Sequence, residues 1–259
     1  MAALEGKGVS VRLGGTIVVR RATFEVAQGE VIGLLGPNAA GKSSLLRAIA
    51  GVLPFSGEIS FQGISIRSLS SAERAQRIAY LPQEREMVWP VSTLDLVSLG
   101  RLPHRIPIGG RSAPDGEAVM RALKLTQTEH LAHRNVLTLS GGERARVLCA
   151  RAIAQETPIL LADEPVAGLD PYHQIGIMES LGAIASSGCA VLISMHDLAL
   201  AGQQCDRLLL MAEGELVAEG EPAEVLTSDR LAEVYRIASH IERFGSRVAA
   251  IPTGRLDGR

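Results

Sequence analysis

Three cysteines in 259 residues, Cys149, Cys189 and Cys205, are too few and too far apart for a zinc quartet or a disulfide framework. A reducing, cytosolic setting is the expectation. Charge of one sign is equally scarce, since 26 Lys and Arg against 28 Asp and Glu leave a formal charge of -2. Nucleic-acid binders usually carry a basic excess or stripe, so no nucleic-acid partner is expected. Long apolar runs are missing as well: those at 31–35 and 159–162 fall far short of the ~20 residues that a membrane helix needs. Membrane association would have to come through a partner. The start, Met1-Ala2-Ala3-Leu4-Glu5-Gly6, has no basic region leading into an apolar stretch, and no signal peptide is expected. No internal repeat or low-complexity segment is visible. What is present is 46% apolar content in a chain long enough for one substantial core, with or without a smaller satellite subdomain.

The apolar segments have an order. Residues 9–13 and 16–19 read as a hairpin on Gly14-Gly15, with a further strand at 22–26 and a central strand at 31–35. Short strands follow at 58–61 and 78–81, with the capping-box spacing of Ser70 and Glu73 opening a short helix between them. Residues 84–155 have few β-branched runs and read as helices over 93–100, 114–125 and 141–155, with a Pro-, Gly- and Arg-rich loop at 101–114. Strands then return at 159–163, 190–194 and 207–211, separated by helices at 172–186 and 198–204. Apolar strands alternating with helices predict a parallel sheet covered on both faces, built from two separated segments with a helical insert between them. The Gly-, Arg- and Asp-rich residues 245–259 are expected to be loose.

Chemistry enters at Gly36-Pro37-Asn38-Ala39-Ala40-Gly41-Lys42-Ser43-Ser44, between the apolar run 31–35 and an amphipathic stretch at 45–49. Strand, glycine loop and helix together form a phosphate cradle: backbone N–H groups converge on a β-phosphate, and the helix offers the same anion its positive end. Lys42 would reach the β- and γ-phosphates, and Ser43 would place its hydroxyl on Mg²⁺. A second buried strand ends in Asp163-Glu164-Pro165. Asp163 at the carboxyl end of a sheet strand would hold the metal, and Glu164 would orient or deprotonate a water attacking the γ-phosphate. His196 follows the strand at 190–194, where it could bridge γ-phosphate, water and Glu164. Leu139-Ser140-Gly141-Gly142-Glu143 opens a helix. Capping-box spacing is a sufficient structural reason for Ser140 and Glu143, but two glycines at a helix start cost about 1 kcal/mol each. Their bare N–H groups would make a second anion site, suited to a nucleotide held by another copy of the chain.

These residues, in this order, resemble an ABC transporter ATPase subunit over roughly residues 6 to 236. In that resemblance Walker A is 36–43, the Q-loop glutamine is Gln83, the signature is 139–143, and Walker B is 159–163 with Glu164 as the catalytic carboxylate. The D-loop is Ala167-Gly168-Leu169-Asp170 and the switch histidine is His196. The resemblance implies an α/β fold: a P-loop NTPase (RecA-like) core with a small antiparallel β subdomain and a helical insert subdomain. Residues 1–236 would form one ABC ATPase domain, with the core and β subdomain at 1–83 and 157–236 and the helical subdomain at 84–156; 237–259 would be a partly flexible extension. It further implies a head-to-tail dimer holding two ATP and Mg²⁺. Each site would combine Lys42, Ser43, Gln83, Asp163, Glu164 and His196 of one copy with Ser140 and Gly142 of the other.

Two transmembrane permease subunits would dock on the helical subdomain, in a groove at 84–101 that Trp89, the only tryptophan, either lines or anchors from within. A substrate-binding protein would be reached only indirectly, and the chain would sit on the cytoplasmic face of a bacterial inner membrane. Leu99-Gly100-Arg101-Leu102-Pro103-His104 and the run 195–201 resemble the ATPases of iron-siderophore, haem and cobalamin importers. The alternative is a soluble ABC ATPase serving a cluster-assembly or nucleic-acid complex. Two departures from the family pattern stand out. Ala39 occupies a position that is usually glycine, and Leu13 stands where an aromatic usually stacks on adenine.

Overall fold

The computed structural model describes residues 2–84, 87–104, 113–245 and 247–256, without the side chains of 113 and 114. Strands β1 (Ala2–Leu13) and β2 (Thr16–Ala27) form the hairpin expected at Gly14-Gly15, and both glycines have positive φ. The two strands read separately at 16–19 and 22–26 are one strand. Its alternation breaks at irregularities in the β1–β2 register and at Arg21, which has φ 45°. With β4 (Phe55–Phe61) and β5 (Ile64–Ser65) the hairpin makes a four-stranded antiparallel sheet in the order β2-β1-β4-β5.

Alternation within β3 (Val31–Leu35) explains the main sheet. All five residues are buried; Val31 and Leu35 join one apolar cluster, while Ile32 and Leu34 join another. A strand that is apolar on both faces is stable only when both are covered. The sheet runs β10-β9-β3-β8-β7-β6, with β6 (Ile78–Leu81), β7 (Ile159–Asp163), β8 (Ala190–Ser194) and β9 (Arg207–Ala212) parallel to β3's direction. Only β10 (Glu215–Gly220), unread in the sequence, is antiparallel. Its exposed-and-half-buried alternation lacks the apolar run that marked the others.

Helix α1 (Lys42–Ile49) follows β3, and α2 (Ser71–Ala75) begins at the Ser70–Glu73 capping box. Between the neighbouring strands β6 and β7 the chain makes α3 (Thr93–Ser98), α4 (Ala113–Leu125) and α5 (Gly141–Ile153). The segment read as loop from 101 onward begins instead with a 3₁₀ turn, Leu99–His104; residues 105–112 lie outside the described residues. Helices α6 (Pro171–Ser186) and α7 (Leu198–Gln204) complete the crossovers. No helix among the described residues is long and apolar enough to cross a membrane.

After α8 (Pro222–Val225) and α9 (Ser228–Tyr235) the chain ends in a second hairpin, β11 (Ile237–Phe244) and β12 (Arg247–Arg255). This corrects the expectation of a loose tail at 245–259, of which 246 and 257–259 lie outside the described residues. Composition hid the reason: Val248, Ala249 and Ala250 are buried, and β12 lies so close to α7 that a Cβ on Gly202 would stand 2.3 Å from the Val248 carbonyl oxygen.

Candidate functional site

The loop after β3 needs its glycines for contact as well as for backbone freedom. Gly36 has φ 149° and Gly41 has φ 103°; a Cβ on either would stand 2.3 Å from the Met211 carbonyl oxygen or 2.4 Å from that of Val18. Ala39 lies at φ 62°, in the left-handed region where a methyl costs roughly 1–2 kcal/mol. Helix α1 begins at Lys42, whose buried ammonium donates to the Gly36 carbonyl at 2.6 Å and to the Pro37 carbonyl at 3.0 Å. Burial lowers the Lys42 pKa, while Glu164 and Asp163 pull it back up.

Asp163 ends β7 and is fully buried. Its Oδ1 accepts from Ser43 Oγ at 2.9 Å and from Ser194 Oγ at 2.6 Å, and its Oδ2 accepts from the Tyr80 hydroxyl at 3.3 Å. A carboxylate with the Ser43 hydroxyl beside it is an all-oxygen donor set, and that set fits Mg²⁺. Burial raises the Tyr80 phenol pKa, and the Arg47 guanidinium bound to that phenol is raised in turn.

Glu164 also lies in the left-handed region, at φ 49°. Such strain persists where neighbours over-determine it. Here the Glu164 N–H donates to Ser194 Oγ at 2.9 Å and to the Ser194 carbonyl at 3.2 Å. Its carboxylate is held at both oxygens: Oε1 accepts from His196 Nε2 at 2.5 Å and Oε2 accepts from Gln83 Nε2 at 2.7 Å. Three separate chain segments, at Gln83, Glu164 and His196, thus meet at one carboxylate.

A cleft of about 840 Å³ joins these groups, lined by Val18, residues 38–44, Gln83, Glu164 and His196. Other predicted residues lie elsewhere. Ser140 caps α5 through a complete capping box with Glu143 and does not line the cleft; neither do Gly141 and Gly142. Asp170 caps α6, accepting from the His173 N–H at 3.1 Å and sharing a 2.7 Å contact with its Nδ1. The ring of that histidine covers Gly142, where a Cβ would be 2.8 Å from Cδ2. Leu13 is 40% exposed beside the hairpin turn and is not a lining residue. Trp89 is 75% exposed, so it does not anchor the insert from within.

Sequence reasoning missed Ser194, Tyr80 and Arg47 as members of this network, and Val18 as a wall of the cleft. Only Ser194 carried a signal: a polar residue closing the apolar strand Val191-Leu192-Ile193, two residues before His196.

The ABC transporter family model matches residues 19–167 of the chain. The chain is 40% identical over 240 residues to the hemin import ATP-binding protein HmuV of Pseudomonas entomophila, covering 90% of this chain and 92% of that protein. It is 40% identical over 230 residues to the cobalamin import ATP-binding protein BtuD of Halobacterium salinarum; that match covers 88% of this chain but spans only 57% of the relative. Among solved structures, the dimeric post-hydrolysis state of the ATP-binding cassette MJ0796 bound to ADP and Pi superposes with a TM-score of 0.74 at 26% identity, covering 85% of this chain and 98% of that one.

Proposed function

The chain belongs to the ABC transporter family, and from that premise we propose that it is the ATP-hydrolysing motor subunit of a membrane importer. The observation that carries this reading is the convergence of Gln83, Glu164 and His196 on a cleft whose floor is the 38–44 loop. ATP would lie along that loop with its β- and γ-phosphates at Lys42 and the α1 N-terminus. Ser43, Asp163 and Gln83 would hold Mg²⁺, which when bound neutralises charge on the phosphates. Glu164 is the group placed to take a proton from an attacking water. His196, bonded through Nε2, fixes that carboxylate's orientation at the edge of the cleft.

The signature turn, Ser140-Gly141-Gly142, does not line the cleft of its own copy. A second copy, head to tail, would bring its signature turn to each nucleotide, as the dimeric cassette among the structural matches supports. Closure on ATP and opening after hydrolysis would be passed to two permease subunits through the helices between β6 and β7. The exposed Val88, Trp89 and Leu102 suit such a contact. The chain would then be peripheral to the membrane, and a substrate-binding protein would be reached only through the permease. Relatives named for hemin and cobalamin import favour a chelate of that class as cargo, with iron-siderophores in the same group.

Two measurements test this. The purified chain should release phosphate from ATP with Mg²⁺, and a polytopic permease should co-purify from a native membrane extract. Turnover with no permease recovered from the membrane extract would shift the reading to a soluble ABC ATPase, and no turnover, alone or with membranes, would overturn it.

A further inference from the structure

The 3₁₀ turn Leu99–His104 stands outside the nucleotide cleft, yet it is tied to α5 more tightly than a connecting loop requires. The last carbonyls of a helix have no partner within the helix and need donors from elsewhere. Two of those following α5 find theirs in this turn: Arg101 Nη1 donates to the Ala154 carbonyl at 2.9 Å, and His104 Nε2 donates to the Gln155 carbonyl at 2.7 Å. Gly100 lets the two backbones touch, since a Cβ there would stand 2.2 Å from the Arg151 carbonyl oxygen.

The Arg101 guanidinium is buried, and its other bonds run in two directions. Nε donates to Asp115 Oδ1 in α4 at 2.9 Å, and Nη1 donates to Glu156 Oε2 at 2.9 Å. Burying a cation is costly unless its donors are all taken, so the position favours a planar fork that reaches several acceptors, which a lysine cannot do. The same turn also meets the end of α2, where Gln76 Nε2 donates to the Pro103 carbonyl, while Gln155, just after α5, donates through Nε2 to the Ala75 and Ile78 carbonyls. Leu99 and Leu102, between the anchored residues, are 47% and 53% exposed. One short turn therefore faces outward with two leucines and inward with one guanidinium and one imidazole.

We propose that Arg101 is a positioning residue, the joint that ties the exposed 99–104 turn to the C-terminal end of α5. Helix α5 is a rigid rod of 13 residues whose other end is the Ser140-Gly141-Gly142 turn. A displacement at Leu99 and Leu102 is handed by Arg101 and His104 to one end of that rod, and arrives at the signature turn. This rests on the two-copy nucleotide site proposed above.

Hydrogen exchange on the whole chain tests it without any permease. In E164Q, which holds the closed dimer, ATP and Mg²⁺ should slow amide exchange at 140–144 and, through the joint, at 99–104. In E164Q with Arg101→Gln, ATP affinity should stay within twofold and slowing at 140–144 should persist, while slowing at 99–104 is lost. Equal slowing at 99–104 with and without Arg101 overturns the joint. No slowing at 140–144 even in E164Q overturns the two-copy site, and the joint with it. Should R101Q fail to fold, Glu156→Gln removes one acceptor at the surface; it should cut the slowing at 99–104 at least twofold, and no cut would refute the joint.

Discussion

Ser194 Oγ donates to Asp163 Oδ1 at 2.6 Å and, with its own lone pair, accepts the Glu164 N–H at 2.9 Å. One hydroxyl thus fixes both Asp163, proposed to hold the metal, and Glu164, proposed to take the proton. Ser194→Ala should leave the buried carboxylate with only the Ser43 and Tyr80 hydroxyls and the Glu164 N–H with only the 3.2 Å bond to the residue-194 carbonyl. A hydrogen bond to a charged group contributes about 1.5–3 kcal/mol, so both stability and turnover should fall. Denaturant unfolding and steady-state phosphate release check this; a variant unchanged in both would show that the Ser43 and Tyr80 hydroxyls suffice.

Glu164→Gln should keep ATP binding and lose hydrolysis. The 38–44 loop, Lys42 and Asp163 are untouched, and removing a general base typically costs 10²–10⁴-fold in rate. The same variant should accumulate an ATP-dependent dimer, because the closed state is not discharged. Single-turnover hydrolysis within tenfold of the parent rejects the role given to Glu164. A strictly monomeric E164Q at high ATP and Mg²⁺, measured by sedimentation, would count against the shared site.

Residues whose pattern repeats were legible in the sequence, and residues whose role depends on long-range contact were not. The strand at 31–35, the loop at 36–43 and Asp163-Glu164 each carry a local signature, and each lies where that signature places it. The burial of Arg101 was not readable, because its acceptors come from α4 and from residues 154–156. Nor was the C-terminal hairpin: among its described residues the buried ones are the short run Val248-Ala249-Ala250, and it packs on α7 and α9, elements whose place no local pattern gives. The same holds for Ser194, whose importance is set by a carboxylate 31 positions away in the chain.

Ala39 at φ 62° predicts a gain from the family's usual glycine. Ala39→Gly removes a left-handed penalty of roughly 1–2 kcal/mol. It also frees the unfolded chain, at a cost of about 0.4–1 kcal/mol. The net should be a stabilisation of between zero and ~1.6 kcal/mol, the difference of those two ranges. Thermal unfolding should show a small rise in Tm with ATP affinity equal or tighter; a clear fall would mean that the loop relaxes its backbone around the methyl at no cost.

Gly142 and His173 should behave as a coupled pair. A Cβ on Gly142 meets Cδ2, Cγ and Nε2 of the ring at 2.8–3.0 Å, and Asp170 holds that ring in place. Gly142→Ala should therefore destabilise the single chain by about 1–3 kcal/mol, the usual cost of overpacking. In the double variant with His173→Ala the ring is gone and most of that penalty should vanish. A double-mutant cycle on thermal unfolding without nucleotide measures this, and additive losses would refute the contact.

Leu13 poses the question that the sequence left open: whether its side chain faces the core or the base. It pairs with Thr16 across the hairpin, and Val18, two residues further along β2, lines the cleft. Between them the β1–β2 register shifts, from Arg12 opposite Ile17 to Val11 opposite Val19, so strand alternation does not carry the face of Val18 over to Leu13. The 40% exposure of Leu13 is what favours the base-facing side, and it leaves room for a ring without overpacking. Leu13→Tyr should change stability by no more than about 0.5 kcal/mol, as surface substitutions usually do. Stacking on a base is worth roughly 1–3 kcal/mol, so ATP should bind about 5- to 150-fold more tightly, with stronger preference over nucleotides of smaller bases. Calorimetric titration and thermal unfolding of the same variant decide the matter. Unchanged affinity with an unchanged Tm would place the adenine beyond the reach of residue 13, whereas a lowered Tm would mean that the side chain turns inward after all.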